Sequence, residues 1–233
     1  MEPKCLLFPR RCTGCGCLLL REKAVCPQCE NHLPRLQYPL CHGEFTRMDR
    51  MYSIFYYIPP MDRMIQQFKF YGKRLCASYL AEQMTDSMQD ILQKEKPDLI
   101  TAVPMHPAKQ TIRGYNQAEL LARELSRRLG LPYEECLVKI RDTRAQHTLR
   151  VQERKTNLDR AFRSVPQEGK TILLVDDVCT SGATLQECAA ALRQAGAKKV
   201  IGVSAALTPS EGHGRALMEE KQRQESLLEN QNR

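Results

Sequence analysis

Short apolar runs alternate with amphipathic stretches through most of this chain. Residues 99–103 (LITAV), 171–175 (TILLV) and 200–204 (VIGVS) are apolar and rich in β-branched residues. Runs of that length predict strands of the kind buried inside a parallel sheet. Residues 52–58 (YSIFYYI) read as a further strand, stopped by Pro59 and Pro60. Helical spacing appears between them. Residues 61–72 predict one helix, and 75–93 another, with Leu75, Tyr79, Leu80, Met84, Met88, Ile91 and Leu92 on its apolar positions. Residues 116–129 repeat the pattern through Leu120, Leu121, Leu125 and Leu129 and end at Gly130; residues 184–195 end at Gly196. Residues 141–154 have no clean period and read as a long loop, of the kind that often serves as a functional lid. Alternating strands and helices predict an α/β fold with an open, mostly parallel sheet wrapped by helices.

Three segments follow from these patterns. Residues 1–43 form a small cysteine-rich module, 44–208 the α/β unit, and 209–233 a charged, Gln-rich tail expected to be flexible. The 233 residues are 42% hydrophobic and 27% charged, too apolar for a disordered chain. No run of 18 apolar residues occurs, so a spanning helix is excluded. Cys and Pro fall early at the N-terminus, with no apolar core of signal-peptide length, which predicts a cytoplasmic chain.

Eleven cysteines in such a chain need a reason other than disulfides, since reducing compartments keep thiols free. Seven of them crowd the first 41 residues. Cys12-x2-Cys15 and Cys26-x2-Cys29 make two knuckles, each of which aims two thiolates at one point. Gly14 and Gly16 lie in the first turn and Pro27 in the second. Four thiolates satisfy tetrahedral zinc and leave no open position, so a structural zinc site is expected, about one ion per chain. An iron–sulfur cluster and idle thiols are the alternatives. Cys5, Cys17 and Cys41 read as non-ligands.

The most informative segment is 172–184, ILLVDDVCTSGAT. An apolar strand ends in Asp176 and Asp177, a loop of small residues follows, and a helix begins. Thr180, Ser181 and Thr184 offer hydroxyl donors, and Gly182 lets backbone N–H groups approach a ligand closely. With the positive end of the next helix they make a cradle for a phosphate dianion. The two carboxylates repel such an anion; they suit the hydroxyls of a ribose, or magnesium through water. A ribose bearing a 5′-phosphate fits the segment as a whole. The bland alternative is a strand–turn–helix with the aspartates as a cap. Neither a G-x-x-x-x-G-K-[ST] loop nor a G-x-G-x-x-G fingerprint is present.

The segment ILLVDDVCTSGATL looks like the phosphoribosyl pyrophosphate (PRPP) motif of type I phosphoribosyltransferases. The wider chain resembles the ComF/ComFC family of competence-associated, phosphoribosyltransferase-like proteins. The resemblance runs through LLFPRRCTGCG and CPQC, FKFYGKR at 68–74, VPMHPAKQTIRGYNQAELLA at 103–122 and QERKTNLDRAF at 152–162. It covers roughly residues 6–207. Relatives often carry a second cysteine pair after the first knuckles, where only Cys41 stands here.

The resemblance implies that the whole loop, Val178, Cys179, Thr180, Ser181, Gly182, Ala183 and Thr184, binds the ligand, and that Cys179 is no nucleophile. It implies that the loop after Pro104 holds pyrophosphate through Met105 and His106. Arg113 then pairs with pyrophosphate oxygens, Gly114 permits the turn, and Asn116 caps the next helix. Asp176, Asp177 and Arg113 become the expected catalytic residues, with magnesium accompanying PRPP.

Residues 139–163 hold eight cations against three anions. A field of that sign favours a polyanion or a phosphorylated ligand, or else marks a solvated face. By resemblance this stretch is the loop that closes over the site, with Arg144, Arg150 and Arg154 meeting pyrophosphate. Two function classes follow. One is an enzyme displacing pyrophosphate from PRPP with a nitrogen nucleophile. The other is a non-catalytic competence factor that handles single-stranded DNA, alone or with a helicase-like partner. Phe55, Tyr56 and Tyr57 could stack bases in the second class, or lie in a buried strand.

Overall fold

The computed structural model describes residues 10–19, 23–37, 45–70, 75–140 and 161–209. Elements run in the order α1 (Pro27–Asn31), β1 (Arg50–Tyr56), α2 (Met61–Phe70), α3 (Leu75–Glu95), β2 (Leu99–Ala102), α4 (Pro107–Arg113) and α5 (Gln117–Leu129). They continue with β3 (Leu137–Lys139), β4 (Phe162–Ser164), β5 (Thr171–Cys179), α6 (Ala183–Gln194) and β6 (Lys199–Leu207). Four strands form one sheet in the order β1–β6–β5–β2, and every pairing is parallel. The expected α/β class and parallel sheet are therefore what the chain adopts.

The central strands are apolar because helices cover them. Ile172, Leu173, Leu174 and Val175 of β5 are all buried, as are Val200, Ile201 and Val203 of β6. Helix α5 lies against β2, β5 and α3, while α6 packs with β4, β6 and β5. The apolar stripe read in 75–93 meets this core through Leu80, Met84 and Met88, each at most 2% exposed. The cysteine segment joins the same core through Cys12, Val25, Cys26, Cys29 and Leu33. The chain after it then covers the outer edge of β1. Leu36 N donates to Ile54 O at 2.8 Å, and Tyr56 N to Pro34 O at 2.7 Å. Pairing of this kind closes an otherwise exposed strand edge.

The structure departs from the sequence reading in several places. Strand β5 does not stop at Val175 but runs through Asp176 and Asp177 to Cys179. The reason is β6, which continues alongside and pairs Val178 with Ala206 and Cys179 with Leu207. Strand β1 spans Arg50–Tyr56 rather than 52–58. A helix, α4, occupies part of the loop expected after Pro104, and β3 and β4 form an unforeseen antiparallel pair. The loop expected at 141–154 and the tail after 209 lie outside the described residues.

Candidate functional site at the carboxyl end of the sheet

The difference in length between β2 and β5 creates the site. Pairing between them ends at Ala102 opposite Val175. Val103 N still donates to Val175 O at 2.9 Å, after which the β2 segment turns away. Asp176 and Asp177 thus lie just beyond their β2 partner, at a strand carboxyl end, where ligands of open α/β sheets bind. Asp177 is 8% exposed and Asp176 half-buried. Each turns a carboxylate back on the next peptide: Asp177 N donates to Asp176 Oδ1, and Val178 N to Asp177 Oδ1, both at 2.9 Å. Burial first, then the neighbouring Asp177 charge, pushes the Asp176 carboxyl up to about 8.

Beyond Cys179 the chain makes the expected bend. Gly182 sits in the left-handed region at φ 71° and stands at the N-terminus of α6 without a side-chain cap. A Cβ there would come within 2.4 Å of Phe45 Cε1, so the site is closed to any other residue on two counts. Thr180 and Ser181 are exposed, Ala183 and Thr184 half-buried, and Ala183 N donates to Ser181 Oγ at 3.4 Å. Cys179 is 1% exposed, in keeping with a packing role.

Lys69, which sequence reasoning did not single out, completes the acidic end. It stands in the last turn of α2, and its Nζ is 2.9 Å from Asp177 Oδ2. The two atoms form an ion pair without hydrogen-bond alignment, so the buried Oδ2 accepts no hydrogen bond. The signal in the sequence was the FKFYGKR segment, but nothing in that run says which carboxylate the lysine meets.

The α4–α5 corner is tied to the same place. Arg113 Nη1 donates to Gln117 Oε1 at 2.9 Å, and Gln117 Nε2 to Lys69 O at 3.4 Å. The Tyr115 hydroxyl donates to Phe68 O. Gly114 takes φ 83° as the cap of α4. Asn116 caps α5 through Ala118 N at 3.1 Å and donates to Val103 O at 2.9 Å, which pins this corner to the end of β2. His106 caps α4, its Nδ1 accepting from Ala108 N at 3.3 Å, and Met105 precedes it, half-buried. Arg144, Arg150 and Arg154 lie outside the described residues. Phe55 is fully buried, so the strand reading holds for it and base stacking does not.

The cysteines gather at a second centre. Cys12 N donates to Cys17 O at 2.8 Å, closing a hairpin turn whose flanking residues Arg11 and Leu18 also bridge. The Sγ atoms of Cys12, Cys15, Cys17 and Cys26 all lie within 4.8 Å of one another, Cys15 and Cys26 at 3.7 Å. A tetrahedral zinc with Zn–S near 2.3 Å separates its sulfurs by about 3.8 Å, so the donors present fit that ion. Cys26 N donates to Cys12 Sγ at 3.3 Å and Cys29 N to Cys26 Sγ at 3.4 Å, bonds that favour thiolates. Cys29, expected from sequence as the fourth ligand, is not one of these four sulfurs; its Sγ packs against Gly14. A Cβ on Gly14 would fall 2.8 Å from Cys29 Sγ, so only glycine fits that turn. A backbone bond from Cys17 holds the Cys15 thiol down at about 6, whereas sharing a hydrogen bond with Cys15 pushes Cys17 up to about 12. Cys17, read from sequence as a non-ligand, is thus inside the cluster; Cys5 and Cys41 lie outside the described residues.

A phosphoribosyl transferase domain is matched by residues 115–225. DNA utilization protein YhgH of Escherichia coli K12 is 33% identical over 202 residues, 81% of this chain and 86% of its own. Competence protein F of Haemophilus influenzae is 31% identical over 217 residues, 83% of this chain and 95% of its own. A solved purine phosphoribosyltransferase from Pyrococcus horikoshii aligns with 57% of this chain and 84% of its own at 17% identity, with a TM-score of 0.36. With YhgH and competence protein F each aligned over most of its length, the chain belongs to the ComF family of phosphoribosyltransferase-like proteins.

Proposed function

We propose that the chain binds PRPP, or a closely related ribose 5-phosphate, where β5 outruns β2. The observation that carries this reading is positional. The Asp176–Asp177 pair and the glycine bend into α6 occupy one strand end, with four residues between Asp177 and Gly182. The bend and the N-terminus of α6 take the 5′-phosphate on backbone N–H groups and on Thr180, Ser181 and Thr184. Asp176 and Asp177 take the ribose hydroxyls. Asp176, pushed up to about 8, still holds its proton near neutrality and can donate to a sugar oxygen.

Arg113 pairs with the pyrophosphate, and the peptides of Met105 and His106 line the same end. The His106 ring is already used to cap α4, which leaves it no part as a base. The buried Asp177 Oδ2, which faces the Lys69 ammonium but accepts no hydrogen bond, is the oxygen that would suit magnesium through water. Magnesium, when bound, supplies positive charge that stabilises departing pyrophosphate. In transfer, a nitrogen nucleophile forms the new bond at the anomeric carbon as the bond to the pyrophosphate oxygen breaks. This chain's contribution is orientation and charge placement. The cysteine centre holds zinc as a structural ion.

Pyrophosphate release from PRPP across a panel of purine and pyrimidine bases tests transfer. Release with at least one base, lost in the Asp176→Asn/Asp177→Asn chain, is expected. No release with any base removes the catalytic half of the proposal. A role toward DNA is supported by the DNA utilization named in one relative and by the cation-rich residues 139–163.

A further inference from the structure

Five cysteine thiols meet where a tetrahedral metal takes four. Cys12, Cys15 and Cys26 are common to two groupings, one drawn by the sulfur positions and one by the two C-x2-C knuckles. Cys17 completes one, with all four sulfurs within 4.8 Å of one another. Cys29 completes the other as the second cysteine of its C-x2-C knuckle, its N donating to Cys26 Sγ at 3.4 Å and its Sγ packed against Gly14, between Cys12 and Cys15. The two differ in setting. Cys29 is 7% exposed, packed under Gly14, while Cys17 lies exposed at the mouth of the hairpin turn.

The hairpin explains why Cys17 is there. Cys12 and Cys17 face each other across a closed turn, joined by the bond from Cys12 N to Cys17 O, and cross-strand neighbours present side chains to one face. Backbone rigidity therefore holds the fifth thiol at the cluster whether or not it is bonded to an ion.

We propose that Cys17 and Cys29 are alternative fourth ligands of one zinc centre and exchange on the ion. The proposal rests on the reading of the cysteine cluster as a zinc site. In the exchange the bond from zinc to Cys29 breaks and a bond to Cys17 forms. The proton of the Cys17 thiol passes to the departing Cys29 thiolate, so charge and coordination number are unchanged. The inner arrangement buries the ion's fourth ligand; the outer one brings it to the surface, where a metal donor or acceptor can reach it.

The test uses the full chain loaded with cadmium-113, correlating the metal with cysteine Hβ protons by NMR. Correlations to all five of Cys12, Cys15, Cys17, Cys26 and Cys29 are expected. Correlations to only four overturn the exchange, whichever thiol is missing. Metal titration of the variants adds a second arm. Cys17→Ser and Cys29→Ser each retain one ion per chain, and the double variant binds at least tenfold more weakly. Loss of tight binding in either single variant, with the circular dichroism of the α/β unit unchanged, also overturns it. A wild-type chain that takes up no zinc or cadmium at all defeats the zinc reading itself, a result distinct from these.

Discussion

The Lys69 ammonium stands 2.9 Å from Asp177 Oδ2 and ties the end of α2 to the end of β5. Its side chain is 24% exposed and that of Asp177 11%, so the pair is only partly screened by water. Removing the lysine leaves the buried Asp177 carboxylate alone, which costs more than the pair's net contribution. Lys69→Gln is expected to lower unfolding stability by about 1–3 kcal/mol. The Lys69→Gln/Asp177→Asn chain should recover part of that loss. Urea midpoints of the four chains check this; strictly additive losses would show that the two groups are not coupled.

Asp176 gives a pH dependence with a definite sign. Its carboxyl is raised to about 8 in the folded chain, against about 3.9 when unfolded. The folded state therefore keeps a proton that the unfolded chain releases. The resulting stability is fully present below about pH 4 and is lost as pH rises toward about 8. Asp176→Asn removes this dependence. Wild type should lose stability relative to Asp176→Asn between pH 5 and pH 8, read from denaturant midpoints at both values. A gap that stays constant, or moves the other way, contradicts the assignment.

Gly182 is constrained twice, by φ 71° and by the Phe45 ring. Gly182→Ala is expected to cost at least about 1–2 kcal/mol from backbone handedness alone. Phe45→Ala in the same chain should relieve the clash but not the backbone strain, giving partial recovery of the thermal midpoint. Complete recovery would mean that the backbone at 182 tolerates alanine.

Contact with single-stranded DNA, if residues 139–163 make it, is electrostatic. Affinity should then fall linearly in logarithmic terms with salt. Replacing Arg144, Arg150 and Arg154 together by Gln should lower both the affinity and the salt slope in an anisotropy titration. An unchanged slope moves the interface elsewhere.

What the sequence shows depends on where each feature gets its stability. The run 171–175 was legible because a strand buried on both faces must be apolar. Its extension through Asp176 and Asp177 was not, because that part is held by the ladder with β6 and breaks the apolar pattern. Helix α4 buries none of its side chains, so it shows no hydrophobic period; only Pro107 at its start and Gly114 at its end mark it. The phosphate bend could be read from its glycine and hydroxyls, which are local requirements. Lys69 and Cys17 could not, because each becomes part of a site through a contact that folding supplies: α2 meeting β5, and a hairpin closing on Cys12.

The central claim is that the Asp176–Asp177 strand end and the Gly182 bend bind one sugar phosphate. Isothermal calorimetry with PRPP and magnesium addresses it most directly. A saturable heat at one ligand per wild-type chain, absent from a folded Asp176→Asn/Asp177→Asn chain, is the predicted result. No heat with wild type, or the same heat with both chains, would contradict it.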